Sequence, residues 1–463
     1  MYCLVRGKSE ADASSRIFSN LMQYQLFDDC HDVDQWMSRV VPIVGDLAQD
    51  HFGLSVARFH ELAAVVDCIV HNGALVNFSY PYVSLLKHFL EALPEARMYC
   101  LVRGKSEADA SSRIFSNLMQ YQLFDDCHDV DQWMSRVVPI VGDLAQDHFG
   151  LSVARFHELA AVVDCIVHNG ALVNFSYPYV SLKAANVGGT VTALKLATTY
   201  RLKPVHFIST LSTVPTPDVA GTRTVSERLL GPASEDLHGG YTQTKWVAER
   251  LVTLATTSRN IPCTIIRPGR ITGHSATGAC NLDDFLNLFI KGCVEMAAIP
   301  EVEMPCEMTP VDFCAQAIFD IATKHFEHFA SSSKRCPAIA PAASPIIAPQ
   351  FIYHLTNTSS MAWSQIMKIV CRQGNYGELT TKPYVAWRHE HLLALNSTTH
   401  CALIPLVPMF GENFEEEVTP LDVRVDHLDE LLKYSGTVCP PTSEALVMSY
   451  VKYFLERGFL PSV

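Results

Sequence analysis

The sequence lacks several features that would point to other functions. It holds 15 cysteines but no Cys-x-x-Cys, so they form no disulfide framework. Several, such as Cys100 in MYCLVRG and Cys165 in VDCIVHNG, sit in apolar runs and read as buried free thiols of a reducing compartment. No stretch approaches the ~20 apolar residues of a membrane span. The opening MYCLVRGKSE is too short in its apolar part, and is broken by Arg6, to be a signal peptide. A soluble cytoplasmic protein is expected. Positive charge is also scarce: the formal net charge is −13, which removes any broad attraction for nucleic acid or anionic lipid. Hydrophobic residues make up 48% of the chain and charged ones 18%, so a packed core is expected rather than disorder.

What is present begins with a repeat. Residues 1–85 recur at 98–182 without one substitution. Solenoid repeats diverge at exposed positions, so perfect identity means a recent duplication or a misjoined gene sequence, not a repeat architecture. The second copy runs on into new sequence and is the working one.

From there, apolar strands alternate with helices. MYCLVR (98–103), VVPIVGDL (137–144), VDCIVHNGA (163–171), VHFIST (205–210) and CTIIRP (263–268) read as strands. Helices are expected at 106–121, 184–199 and 241–257. The pattern predicts an α/β fold: a Rossmann-like, doubly wound parallel sheet covered on both faces. Past about residue 275 the alternation stops. Residues 281–326 read as helical, 331–350 as a Pro/Ala/Ser-rich loop, 352–357 as a strand and 442–457 as a helix. Three domains are expected: a duplicated partial fragment at 1–97, a nucleotide-binding domain at 98–275 and a smaller C-terminal substrate lobe at 276–463.

A doubly wound nucleotide-binding sheet starts with a strand, a Gly-rich turn and a helix, so that backbone amides can approach a pyrophosphate. That strand and turn are missing ahead of both copies. Residues 85–97 (LLKHFLEALPEAR) read as the back half of the first helix plus a turn. Leaving the slot empty would strand two rows of backbone groups mid-sheet. Residues 67–72 of the first copy are the expected substitute, lying between 98–103 and 163–169. Its turn offers only Gly73, so weak phosphate binding is expected.

Tyr241 and Lys245 form Tyr-x-x-x-Lys on one helix face. An ammonium beside a phenol favours phenolate and lowers its pKa from about 10, which suits proton exchange with a carbonyl oxygen. Alone the pair is weak, expected by chance about once in a chain this size. Ser209 and Thr210 end a strand at the carboxyl edge of the sheet, where ligands bind, and Ser212 follows two residues on. Any of these hydroxyls can serve the same oxygen, or simply form the turn. Arg267-Pro268-Gly269 ends the next strand at the same edge. His168 and His206 have no partner at ligand spacing, so no metal site is expected.

These stretches, with HNGALVN (168–174) followed by ANVGGT (185–190) as the most telling pair, resemble the extended short-chain dehydrogenases. Within them the sequence is similar to the thioester reductase domains that end nonribosomal peptide synthetases, aminoadipate reductases and carboxylic acid reductases. The likeness covers most of 98–320. It implies Thr210, Tyr241 and Lys245 as the catalytic set and NADPH as cofactor. Arg103, helped by Arg113, would face the 2′-phosphate. Asp143 and Leu144 would line the adenine. Asn169, Gly170 and Ala171 would pass the ribose, and Pro268 and Gly269 would bound the nicotinamide. Asn186 would sit behind the site in a proton relay. The implied substrate is an acyl thioester on a phosphopantetheinyl carrier protein, reduced to an aldehyde or further to an alcohol. Neither an adenylation nor a carrier domain is read in the sequence, so the acyl donor is expected to be another protein. Two alternatives stay open. One is a fatty acyl-CoA reductase-like enzyme; the other is a non-catalytic remnant that has lost its cofactor along with the glycine turn.

Overall fold

The computed structural model describes residues 2–5, 9–23, 41–44, 55, 79–123, 128–174, 177–214, 224–231, 237, 239–302, 304–333, 351–395, 401–412, 414 and 422–461. The chain divides into two compact units. The first is Met1–Leu75 with Leu395–His400. The second is Val76–Ala394 with Cys401–Val463. In the first, strand Tyr2–Val5 pairs in parallel with Val41–Val44, and helix Glu10–Gln23 lies between them in sequence.

The second unit repeats that pairing in the same register. Met98–Val102 lies parallel to Val137–Val141, with Tyr99 opposite Val138 where the first copy sets Tyr2 opposite Val41. Helix Glu107–Gln120 crosses between them, capped by Ser106, whose hydroxyl accepts from the Asp109 amide. A four-stranded parallel sheet follows, in the order Ile352–Leu355, Cys263–Pro268, Val205–Ile208, Ile166–His168. Its period-two alternation builds both core faces. Val205, Phe207, Cys263, Ile265 and Ile352 pack beneath helices Gly189–Thr198 and Gly240–Arg259. Ile208, Ile266, Tyr353 and Leu355 turn the other way, onto helix Val311–Ser333. The expected doubly wound α/β architecture is what forms.

Among the described residues, Met98–Val102 is paired only with Val137–Val141, and Ile166–His168 only with Val205–Ile208. The expected occupant of the slot, 67–72, lies outside the described residues, as does most of the expected loop 331–350. The two sheet pieces share one apolar layer: Tyr99, Leu101 and Ile166 all border the cluster of Phe149, Phe156, Leu159 and Leu196.

Strands are shorter than expected at their carboxyl ends. Residues 209–210 leave the sheet after Ile208 to form a turn. The stretch expected as helical at 281–326 is two helices, Phe285–Glu295 and Val311–Ser333, separated by short strands at Ala298–Glu301, Pro305–Glu307 and Thr309–Pro310. Those strands pair with Thr380–Pro383, Ser360–Ala362 and Ile271–Thr272 from elsewhere in the chain. Tertiary pairing overrides the local pattern there. The C-terminal part is held by aromatic packing: Phe289 stacks on Trp363 with ring centroids 4.2 Å apart, and Trp387 and Phe410 close around Phe289. No helix among the described residues is long and apolar enough to cross a membrane.

One duplicated segment is put to two uses. YVSL is helical at 82–85, inside helix Ser79–Ala92, and again at 179–182. In the first place Val83 is fully buried; in the second its equivalent, Val180, is 56% exposed. Identical residues therefore carry different energies. Val83→Ala is expected to destabilise the chain by roughly 1–3 kcal/mol and Val180→Ala by less than about 0.5 kcal/mol, read by denaturant unfolding. Equal losses at both positions would contradict this packing.

Candidate active site

The site starts at the end of strand Val205–Ile208. Thr210 is extended at φ −158° and caps the short turn Leu211–Thr213, its hydroxyl accepting from the Ser212 amide at 3.3 Å. Ser212 Oγ lies 3.2 Å from Thr210 Oγ1 and accepts from Thr242 Oγ1 at 3.4 Å. A chain of three hydroxyls thus joins the strand end to the first turn of helix Gly240–Arg259. Ser209 is placed elsewhere. It is buried, and its hydroxyl donates to Glu249 Oε2 at 2.6 Å, so it is not available to a substrate oxygen.

The helix owes its start to two glycines. Gly239, at φ +78°, adopts a left-handed conformation that side chains resist. A Cβ on Gly240 would lie 2.3 Å from the Tyr177 carbonyl oxygen and 2.4 Å from the Tyr179 amide nitrogen, so only glycine admits this approach. Tyr241, Lys245 and Glu249 follow at four-residue steps on one face. Lys245 is buried. Its Nζ donates to the Ile208 carbonyl oxygen at 2.5 Å and stands 4.4 Å over the Phe207 ring. Burial pushes its pKa down to about 7, opposed by Glu249. Burial likewise pushes the Tyr241 phenol above its ordinary value. The depression expected from a neighbouring ammonium is not what this arrangement produces, because burial of the phenol outweighs it.

Sequence reasoning missed the charged pair beneath. Arg267 and Glu249 are both fully buried, with Nη2 to Oε1 at 2.6 Å and Nε to Oε1 and Oε2 at 3.1 and 3.2 Å. Arg267 Nη1 lies 3.0 Å from His354 Nε2, and Nη2 also donates to the Arg228 carbonyl. Glu227, another buried carboxylate, accepts from the amides of His354 at 2.8 Å and His427 at 2.5 Å. The signal in the sequence was Glu249 itself, one more step of four beyond Lys245.

The remaining expected residues lie just past the carboxyl ends of strands in both sheet pieces. Arg103 is exposed just past its strand, and the Arg113 guanidinium donates to its carbonyl. Asp143 closes a turn, its carboxylate accepting from the Ala145 amide at 2.9 Å. Leu144 packs on Gly170, where a Cβ would lie 2.8 Å from its Cδ1, and on Gly189. Asn169 and Ala171 flank Gly170 in the loop beyond Ile166–His168. The buried Asn186 amide fastens that loop: it accepts from the Leu172 amide at 2.7 Å and donates to the Leu172 carbonyl and Thr244 Oγ1, each at 3.0 Å. Pro268 ends its strand. Gly269 sits where a Cβ would lie 2.4 Å from Thr356 Oγ1 and 3.3 Å from Leu211 Cδ1, against the turn that Thr210 caps.

His168 bonds Thr190 at 3.0 Å and His206 bonds Thr264 at 2.8 Å. Burial pushes both down to about 3, leaving neutral core histidines. No cluster able to hold a metal occurs among the described residues.

Residues of a kind that suit a nicotinamide dinucleotide stand at these strand ends: the exposed Arg103 guanidinium at one, and Gly269 against the turn capped by Thr210 at another. For its pyrophosphate the sequence just ahead of helix Ser79–Ala92 offers only Gly73, which lies outside the described residues.

Residues 1–94 and 83–318 match the model of an NAD-binding family described as Male sterility protein. The chain is 33% identical over 415 residues to a linear gramicidin synthase protein of Brevibacillus parabrevis, covering 89% of this chain and 8% of that protein. It is 29% identical over 400 residues to L-2-aminoadipate reductase of Schizosaccharomyces pombe, covering 82% of this chain and 26% of that one. It therefore spans a small part of the length of these curated relatives. Among solved structures, the terminal R domain from the myxalamid PKS-NRPS biosynthetic pathway superposes with a TM-score of 0.69 at 35% identity. That match covers 82% of this chain and 89% of the other.

Two outcomes follow from the buried charges. Arg267→Met leaves Glu249 buried without its cation and is expected to cost about 3–5 kcal/mol by denaturant unfolding, whereas replacing both partners by apolar residues costs less. A loss under about 1 kcal/mol for the single change would refute the pair's role. Lys245 binds its proton less tightly folded than unfolded, so the unfolded chain holds more protons between about pH 7 and the ordinary lysine value. Stability should rise with pH across that window, and Lys245→Met should flatten the rise.

Proposed function

We propose, from the premise that this chain belongs to the NAD-binding family described as Male sterility protein, that it is a reductase domain using NADPH to reduce an acyl thioester carried by a phosphopantetheinyl protein to an aldehyde. The observation that carries this reading is the hydroxyl chain Thr210–Ser212–Thr242, which sets the strand-end turn against the first turn of the Tyr241 helix at the carboxyl edge of the sheet. The R-domain likeness supports the reaction class, and the aminoadipate reductase and gramicidin synthase relatives support a carrier-bound acyl group.

NADPH, when bound, would supply the hydride. Arg103 and Arg113 would hold its 2′-phosphate, Asp143 and Leu144 its adenine, Asn169 to Ala171 its ribose, and Pro268 and Gly269 its nicotinamide end. At the thioester, the Thr210 hydroxyl and the Tyr241 phenol would donate to the carbonyl oxygen as it gains negative charge. Tyr241 would give its proton to that oxygen. Its phenol, held protonated by burial, suits a donor. Lys245, near neutrality in pKa, would return a proton to the phenol. The C–S bond then breaks. The oxygen's proton passes to the departing sulfur, leaving an aldehyde and a free thiol.

The missing glycine turn favours a second reading, a fold kept without its cofactor. A titration of NADPH fluorescence separates the two: micromolar binding is expected of the reductase, and no binding at millimolar cofactor supports the remnant. Given binding, Tyr241→Phe should lower kcat for thioester reduction by about 10²–10⁴ while leaving NADPH affinity unchanged. An unaffected kcat would remove Tyr241 from the chemistry. Carrier-bound thioester tried against acyl-CoA discriminates the fatty acyl-CoA reductase alternative.

A further inference from the structure

Glu249 belongs to none of the expected catalytic or cofactor groups, yet it binds three residues around the site: Ser209, Thr213 and Arg267. Its Oε2 accepts from Ser209 Oγ at 2.6 Å and lies 3.2 Å from Thr213 Oγ1. The Thr213 hydroxyl also lies 2.8 Å from the Thr210 carbonyl oxygen. These two anchors flank Thr210 on both sides. The same carboxylate binds Arg267, the last residue before Pro268-Gly269, through three contacts. It stands one helical step beyond Lys245, whose Nζ holds the Ile208 carbonyl at the start of the same turn. One buried charge therefore ties together the hydroxyl turn, the Tyr241 helix and the strand that ends at Gly269.

We propose that Glu249 is a positioning residue for the reduction. Through Ser209 and Thr213 it fixes the turn carrying Thr210 at a set distance from Tyr241 on its own helix. The inference rests on the reductase reading above. Hydrogen bonds to a carboxylate are roughly twice as strong as neutral ones, which suits an anchor. A displacement of about 1 Å in an oxyanion donor can cost about 10²-fold in rate, so a turn held only by its own backbone would be a poor donor platform. Ser212 is exposed and Thr210 half-buried, so packing alone does not immobilise them.

The test is Ser209→Ala combined with Thr213→Val, which removes both anchors and leaves the Glu249–Arg267 pair in place. Glu249→Gln is made alongside, and Ser209→Thr serves as the hydroxyl-retaining rescue. Turnover is measured with NADPH and a carrier-bound acyl thioester, and amide hydrogen exchange is followed at residues 211–214. The double variant should lose about tenfold or more in kcat with the KM for NADPH within about twofold of wild type, and its 211–214 amides should exchange at least about tenfold faster. Ser209→Thr should retain most of the activity. Glu249→Gln should also move the Lys245-dependent limb of the pH profile to lower pH. Should the double variant fail to fold, Ser209→Ala alone carries the same expectation. Wild-type kcat, or unaltered exchange, in a variant lacking the anchors overturns the inference while leaving the reductase reading intact. A wild-type chain that oxidises no NADPH with any thioester overturns that reading, and this inference with it.

Discussion

The buried ion pair of Glu249 and Arg267 is the constraint on which the site depends. Two charges without water are costly unless each is fully bonded, and here each is: the carboxylate by Arg267, Ser209 and Thr213, the guanidinium by Glu249, His354 and Arg228. Meeting those requirements forces strand Cys263–Pro268, helix Gly240–Arg259 and the turn after Val205–Ile208 into one relative placement. Apolar packing of Ala248 and Val252 against Phe207 and Ile265 sets the same elements close together, but it tolerates small shifts. The charged network tolerates far less, because every displaced hydrogen bond leaves a buried polar group unmet.

The elements legible in the sequence were those with strong local patterns. Strand 263–268 and helix Gly240–Arg259 announce themselves by a short run centred on Ile265 and Ile266 and by a long polar-apolar period. The parallel doubly wound order followed from alternation alone. What was not legible depended on partners far away in sequence. The short strands at 298–310 form because Ile271–Thr272, Ser360–Ala362 and Thr380–Pro383 come to meet them. Ser209 read as a candidate for the substrate oxygen because its place at the strand end is right; its hydroxyl is taken by a carboxylate 40 residues on. The Tyr241 pKa direction was misread for a related reason. The i, i+4 spacing places Lys245 on the right face, but burial, which spacing does not reveal, raises the phenol and lowers the ammonium.

The residues expected at the cofactor divide in the same manner. Arg103 and Arg113 meet within one strand–helix unit, whereas Gly269 meets Leu211 from the ends of two neighbouring strands. A phosphate cradle needs a glycine turn leading from strand to helix; helix Ser79–Ala92 leads into Met98–Val102, and the stretch ahead of it, 71–78, contains only Gly73 and lies outside the described residues.

The duplicated strands carry a consequence for the order in which this chain acquires structure. Tyr2–Val5 and Met98–Val102 present the same residues to partners that are themselves identical, in the same register. Either first strand can therefore meet either second strand with equivalent hydrogen bonds, and loop closure separates the choices by only about 0.6 kcal/mol per doubling of length. Selection falls to what each copy is continued by. Only the copy at 98–182 runs on into Lys183 and the helices that cover Phe207 and Ile265. On a ribosome, the earlier copy emerges with its own helix Glu10–Gln23 but without the four-stranded sheet's later strands, so completion of that sheet waits for the second half of the polypeptide.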